Sequence, residues 1–511
     1  MPGNFETQAS MFYSYVFDLG DDYVIREQKY TNCWNFYEGK HWDKKAPEGF
    51  DQIVVNYCKV FSKKMRRFTF RNDWTLAFNE EQKGKKIDEW TIDAWRDNDL
   101  HELTNKCADF ASIFGDFYIY VKWIPMTDTE DGRIKLTALD PRTVFPFYNG
   151  LTGEMEQCII LFPYRETRVV EGRLESVVKW YREVHSKDNI YIHSAEEKSE
   201  FVAEDVQPNP IGKILIVHGI NQPVAGSFHG CSDIEDIIEP QKLMDEKVSD
   251  ISDILDYHAS PVTVIKGAKA RQLEKGPNKV WSGLPANADV FNLSSAGNIA
   301  EAMQFIDFIK KTMHEISNVT EESLAGGKKM SNTSAVALSL DFEPMIELAE
   351  DKRFYFAKAI KKTNELIIDI GVNKNKISKE GLKDSDLYHS DVTFGSLLPR
   401  DRQSDLKDIQ VEMSLNLETP QGALERLGEH NPEKKLAELE EFKKQKIEEQ
   451  RLTALNTAAA ANANTPPPND NKSTGAPGDK GSQQAAKAVN DTPKSHGEQV
   501  VAAQVKKRTT S

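Results

Sequence analysis

CSDIEDIIEPQKLMDEKVSDISDILDYHA, residues 231–259, and NIAEAMQFIDFIKKTMHEIS, residues 298–317, decide how this chain folds. In the first, Ile234, Ile237, Gln241, Met244, Val248, Ile251 and Leu255 advance by alternating steps of three and four. Ile299, Ala302, Ile306, Ile309, Met313 and Ile316 advance the same way in the second. Steps averaging 3.5 residues set these side chains along one stripe of each helix, the pattern of helices that pack side by side. Ile251, Leu255, Ile306 and Ile309 are the candidate packing residues. Between the helices, SPVTVIKG and KVWSGLPANADVFNLSS read as strands and turns, so the pair carries a β-rich tip. Pro240 either kinks the first helix or starts its second half. Asn298 with Glu301 three residues later has the pattern of a capping box opening the second. A stalk with a tip suggests an assembly part before it suggests an enzyme.

Working outward, residues 22–40 predict a helix with Gly39 as C-cap. VVNYCKVFSKKMRRFTF (54–70) predicts a second helix or a helix–strand junction. Its basic face of Lys63, Lys64, Arg66 and Arg67 is either a nucleic-acid patch or a solvated surface. Residues 85–113 read as a third helix, broken at Gly115. Short β-rich runs follow, FYIYVKW, IKLTAL, TVFPFY, CIILFPY, SVVKWYREV and NIYIHS, with KILIVHGINQP (213–223) as the last strand. The fold class is therefore mixed α+β. After a polar, glycine-containing loop at 318–333, a long helix is expected from Ser334 to Ile370, kinked at Pro344 and stopped by Gly371. Thr419-Pro420 and Asn431-Pro432 each pair a cap with a proline suited to the first helical position. Beyond Leu455 the chain is too poor in large apolar residues to offset ordering entropy and reads as disordered.

At 511 residues the chain can bury more than one core. No apolar run approaches the roughly 20 residues of a membrane span, and the first residues lack a secretory-signal pattern, so a cytosolic protein without membrane contact is expected. Cys33, Cys58, Cys107, Cys158 and Cys231 contain no CxxC pair and read as buried reduced thiols. His185, His193, His218 and His229 show no metal-ligand spacing, so neither metal nor cofactor is expected. A net charge of −15 argues against tight, sequence-reading DNA binding but not against loose passage of DNA. AGGKKMS (325–331) lacks the first glycine of a phosphate-cradling loop, and there is no GxSxG elbow or HExxH pair. No catalytic residue is assigned. Two charged features stand out. The leading seam helix is acidic, with Asp245, Glu246, Asp250, Asp253 and Asp256 as a candidate channel-facing surface. Lys328 and Lys329, beside Gly326 and Gly327, either face solvent or reach a polyanion.

The order of these segments resembles the portal proteins of tailed double-stranded-DNA bacteriophages, the longer siphophage-type portals in particular. YEGKHWD followed by VVNYCKVFSKKM resembles the family's N-terminal helices, and FASIFGDFYIYVKW followed by LTALDPRTVFPFY its glycine-then-strand segment and wing strand. NPIGKILIVHGINQPVAGSFHGCSDIEDIIEPQKLMDEKVSDISDILDYHASPVTVIKG matches the strand, turn and long helix leading to the tip. SNTSAVALSLDFEPMIELAEDKRFYFAKAI resembles the long helix, although Asn332-Thr333-Ser334 stands where many relatives carry a glycine. LETPQGALERLGEHNPEKKLAELEEF resembles the crown.

The resemblance implies a homo-oligomeric ring, a dodecamer, at one capsid vertex, through which the genome enters and leaves. It implies a wing (1–229), stem helices (230–258 and 298–317), a clip (259–297), a tunnel loop (318–333), a long helix returning to the wing (334–398), a crown (399–455) and a tail (456–511). Implied partners are the terminase large subunit, major capsid and scaffolding proteins, a head–tail adaptor and non-specifically contacted double-stranded DNA, in the virion and in host cytoplasm during assembly. A capsid scaffolding or adaptor protein, or a packaging-motor component with ATPase activity, is the alternative. The first would need longer heptads and less β structure, the second a nucleotide loop.

Overall fold

A computed structural model describes residues 12–463 apart from 13, 49, 72–73, 126–131, 171–172, 197–198, 260–262, 268–286, 293–298, 325–339, 398–401 and 428–431. The chain divides into two compact units, Met1–Ser404 and Asp405–Ser511.

The first unit opens with α1 (Asp21–Glu38), which ends as expected on Gly39, left-handed at φ 82° with its N–H on the carbonyls of Asn35 and Phe36. Asn56 then caps α2 (Tyr57–Thr69) by accepting from the Lys59 amide. On its basic face, Arg66 pairs with Asp109 at 2.8 Å and Lys64 donates to the Ser323 carbonyl, so part of that charge is used within the chain. The short strand β1 (Thr75–Ala77) precedes two helices, α3 (Ile87–Arg96) and α4 (Leu100–Phe114), where one was expected. Asp99 divides them: it sits at φ 51° and its carboxylate caps the Glu102 amide, which ends one helix and begins the next.

Two antiparallel sheets follow. Strands β2 (Asp116–Ile124), β3 (Arg133–Leu139) and β9 (Ile216–Ile220) form a three-stranded sheet in the order β3-β2-β9. A five-stranded meander contains β4 (Val144–Tyr148), β5 (Met155–Val170), β6 (Arg173–His185), β7 (Asn189–Glu196) and β8 (Val202–Pro208). Pro146, which has no N–H to give a ladder, lies on the edge strand β4. Strand β8 was not expected, because the exposed run VAEDVQP has little of the usual strand composition; pairing with β7 holds it.

The seam helices are α5 (Ile238–Ala259), entered through a 3₁₀ turn at Glu235–Ile237, and α6 (Ile299–Ser317). Pro240 lies in the first turn of α5, so it starts that helix rather than bending it. Helices α5 and α6 pack together, and β10 (Thr263–Lys266) pairs antiparallel with β11 (Asp289–Asn292) in the segment between them. The proposed cap Asn298 is outside the described residues.

The long helix α7 runs Glu343–Asn373, 31 residues or roughly 46 Å at 1.5 Å each. Pro344 lies in its first turn, next to a break at Phe342 that separates it from helical residues 340–341. Gly371 does not stop the helix. A Cβ there would meet the Trp90 indole nitrogen at 2.6 Å, so the glycine lets α3 and α7 approach. Helix α7 packs on β2 and β9, with Phe117 stacked on Phe356 at 4.3 Å in the main core. Strand β12 (Asp391–Thr393) then pairs with β1.

Helix α8 (Arg402–Ser414) leads into the second unit, where α9 (Pro420–Arg426) packs on α10 (Pro432–Ala463). Thr419 accepts from the Gly422 amide, the expected cap. Helix α10 corrects the tail boundary, because it continues past Leu455 through Ala463. The run TAAAANA is rich in the best helix former and propagates a helix already nucleated.

Candidate functional site at the root of the seam helices

The apolar seams are buried where they enter the body and uncovered elsewhere. Ile234, Ile237, Gln241, Met244, Ile251, Ile309 and Met313 are buried, whereas Leu255 is 51% exposed and Ile306 half-buried. Ile251 and Ile309 thus pack within one chain, and Leu255, grouped with them by periodicity, stays exposed. The other side of α6 exposes Met303, Phe305 and Phe308, the last 63% exposed, with the two phenylalanine rings stacked at 6.3 Å.

The acid on α5 divides between two faces. Asp245 is 1% exposed and paired with a buried His41, so it belongs to the interior and not to an acidic outer surface. It is one rung of a regular lace. Gln241 accepts from the Tyr57 amide at 3.0 Å, Asp245 from Val55 at 2.9 Å, Ser249 from Ile53 at 2.9 Å and Asp253 from Asp51 at 2.9 Å. Every fourth residue of the helix meets every second residue of segment 51–57. A helix rises roughly 6.0 Å in four residues and a strand roughly 6.6 Å in two, close enough for the rungs to stay in step. The polar stripe Gln241, Asp245, Ser249, Asp253 was visible at spacing i, i+4, but an acid-rich helix reads first as solvated. Glu246, Asp250 and Asp256 remain outward. Asp250 pairs with Lys247, and Glu239 with Lys242.

At the base of α5 the backbone crosses itself. A Cβ on Gly115 would lie 2.4 Å from the Gly230 carbonyl oxygen, and one on Gly230 2.2 Å from that of Gly115, which is held at φ 87°. Both positions therefore require glycine. Asp233 fastens the crossing, accepting from Ser112 and Asn221 at 2.7 Å each and from Lys352 of α7 at 2.5 Å. The lysine and aspartate side chains are 5% and 8% exposed.

Beside the crossing, Asp116 is fully buried. It accepts from His218 Nε2 at 2.8 Å, His229 Nδ1 at 3.0 Å, the Gly230 amide at 2.9 Å and the Tyr30 hydroxyl. Burial opposes its charge, but His218 and His229 outweigh burial and hold the carboxyl well below the usual range. The histidines that showed no ligand spacing in sequence thus converge in space: Asp116, His218 and His229 offer ligand atoms all within 4.8 Å of one another. His185 lies instead beside Glu183, at 3.1 Å.

The four described cysteines of the core, Cys33, Cys58, Cys107 and Cys158, are buried free thiols pushed up by burial, and Cys231 is half-buried and also free. Gly326, Gly327, Lys328 and Lys329 lie outside the described residues. Among the described residues no helix is long and apolar enough to cross a membrane.

A family described as "Phage portal protein, SPP1 Gp6-like" matches residues 25–452. No curated protein matches the chain.

Proposed function

This chain belongs to the SPP1 Gp6-like phage portal proteins, and on that premise we propose a division of labour among its parts. It is a phage portal protein, a capsid component of genome packaging. Helices α5 and α6 form the stem of a ring, a dodecamer, with segment 259–297 as clip and 399–455 as crown. The exposed Phe305 and Phe308 carry the assembly reading: two stacked rings held in water are stabilised when a neighbouring copy covers them.

In that ring Glu246, Asp250 and Asp256 supply a negative wall that repels phosphate, with the half-buried Asp253 at its edge. Segment 318–333, in which Glu321–Leu324 form one helical turn where a loop was expected, makes the weak contacts to passing DNA through Lys328 and Lys329, beside Gly326 and Gly327. The terminase large subunit, capsid and scaffolding proteins and a head–tail adaptor dock on the ring, which itself performs no catalysis.

Native mass and negative-stain images test the reading. A ring with a central hole is expected, and a monomer or dimer at packaging concentrations overturns it. Phe305→Ser with Phe308→Ser should lower ring yield at least tenfold while leaving the far-ultraviolet circular dichroism unchanged. Rings of normal yield would place the subunit contact elsewhere.

A further inference from the structure

We propose that Asp116, His218 and His229 bind one late first-row divalent cation, with Zn²⁺ as the type. This inference is independent of the ring reading. Each ligand comes from a different segment: the first residue of β2, the middle of β9, and the turn before α5. A bound ion would therefore clamp the base of the seam helices to the three-stranded sheet.

The convergence of three ligand atoms from distant segments carries the inference, and the burial of the carboxylate supports it. Asp116 is fully buried, and among the described residues no lysine or arginine forms an ion pair with it. Arg26, a buried cation nearby, acts on Asp116 only through space and donates Nη2 to the Val144 carbonyl at 2.7 Å. Taking a carboxylate out of water is costly, and hydrogen bonds alone offset only part of that. A divalent ion between the carboxylate and the two rings would add positive charge where Asp116 is fully shielded from water.

Geometry and ligand chemistry agree. Ligand atoms around a tetrahedral ion with bonds of about 2.0–2.1 Å sit roughly 3.3 Å apart. His218 Nε2 lies 2.8 Å from Oδ1 of Asp116 and His229 Nδ1 3.0 Å from Oδ2, with one ligand atom of each residue within 4.8 Å of the others, so a modest rearrangement of the cluster admits the ion. Two imidazoles and one carboxylate suit zinc, cobalt or nickel and disfavour magnesium and calcium, which take oxygen. The ring protons now facing Asp116 move to the opposite nitrogens. For His218 that is Nδ1, which already contacts the Tyr148 hydroxyl; for His229 it is Nε2. A partner on the far nitrogen is the usual way a ligating imidazole is oriented. The His229 side chain is 27% exposed, which leaves a route for the ion and a fourth position for water.

The test uses the full-length assembled protein, freed of metal by chelator and then titrated with Zn²⁺ alone in a calorimeter. One ion per chain is expected, together with a rise of several degrees in the thermal midpoint and visible ligand-field bands when Co²⁺ replaces Zn²⁺. His229→Ala should abolish stoichiometric binding and the bands while the circular dichroism spectrum is kept. His193→Ala, in β7 of the meander and outside the three-stranded sheet that carries the cluster, should change neither. His229→Gln, which keeps a donor to Asp116, guards against a folding defect and should also bind no ion. Absence of saturable Zn²⁺ binding by the wild-type protein, or binding by both His229 variants equal to that of the wild type, overturns the proposal and leaves a hydrogen-bonded hub.

Discussion

Two carboxylates on the same chain show how burial decides a residue's role. Glu183 is buried and accepts from the hydroxyls of Tyr120 at 2.7 Å and Tyr181 at 2.9 Å, with His185 at 3.1 Å. Burial pushes its carboxyl up, but His185 and the two phenols outweigh that and hold it down at about 2. A depressed carboxyl contributes stability that is complete above its unfolded value of 4.5 and is lost as pH falls from there toward 2. The shift corresponds to about 3 kcal/mol at most. Stability curves of wild type and Glu183→Gln should therefore converge between about pH 5 and 2. A gap independent of pH would refute the assignment. Asp245 and Glu246 give the second contrast, being adjacent in sequence but buried and exposed respectively. Asp245→Ala removes one partner of a buried pair and should cost about 3–5 kcal/mol. Glu246→Ala should change stability by about 0.5 kcal/mol or less. Chemical denaturation distinguishes the two, and equal effects would contradict the burial of Asp245. Nothing local in the string MDEKV marks which acid turns inward, because the difference depends on His41 and Val55 far away in the chain.

Elements were legible where local chemistry fixes them. Gly39, Gly115 and Thr419-Pro420 end or begin helices as their residue types require. The seam periodicity likewise placed α5 and α6. Misreadings arose where one residue type serves two purposes. Gly371 looked like a stop but provides space for Trp90. The site was less visible still, since Asp116 lies about a hundred residues from His218 and only the crossing at Gly115 and Gly230 brings them together. The corrected burial also changes which variants probe association. Ile251 and Ile309 are inside a single chain, so Asp at either should unfold the stalk before it disturbs any subunit contact. Limited proteolysis checks this: Ile309→Asp should be cut within α6 at protease levels that spare the Phe305→Ser, Phe308→Ser variant. Equal resistance would mean the interior contacts have been misassigned.

For the whole molecule, the proposed function requires that DNA pass without sticking. Lys328→Glu with Lys329→Glu should leave rings intact and reduce the DNA packaged per capsid with wild-type terminase, because it removes positive charge from the loop and replaces it with negative. Normal filling would mean that the lysines only face solvent. The lace between α5 and segment 51–57 has a different consequence, for how such a protein can change length over evolution. One residue added to the helix rotates every later rung by about 100°, and one added to the segment turns alternate amides away. Either change unfastens everything beyond it. Insertions that preserve the match must come as four residues in the helix for two in the segment. Homologous sequences should then show these paired indels, coupled at a fixed ratio of two to one.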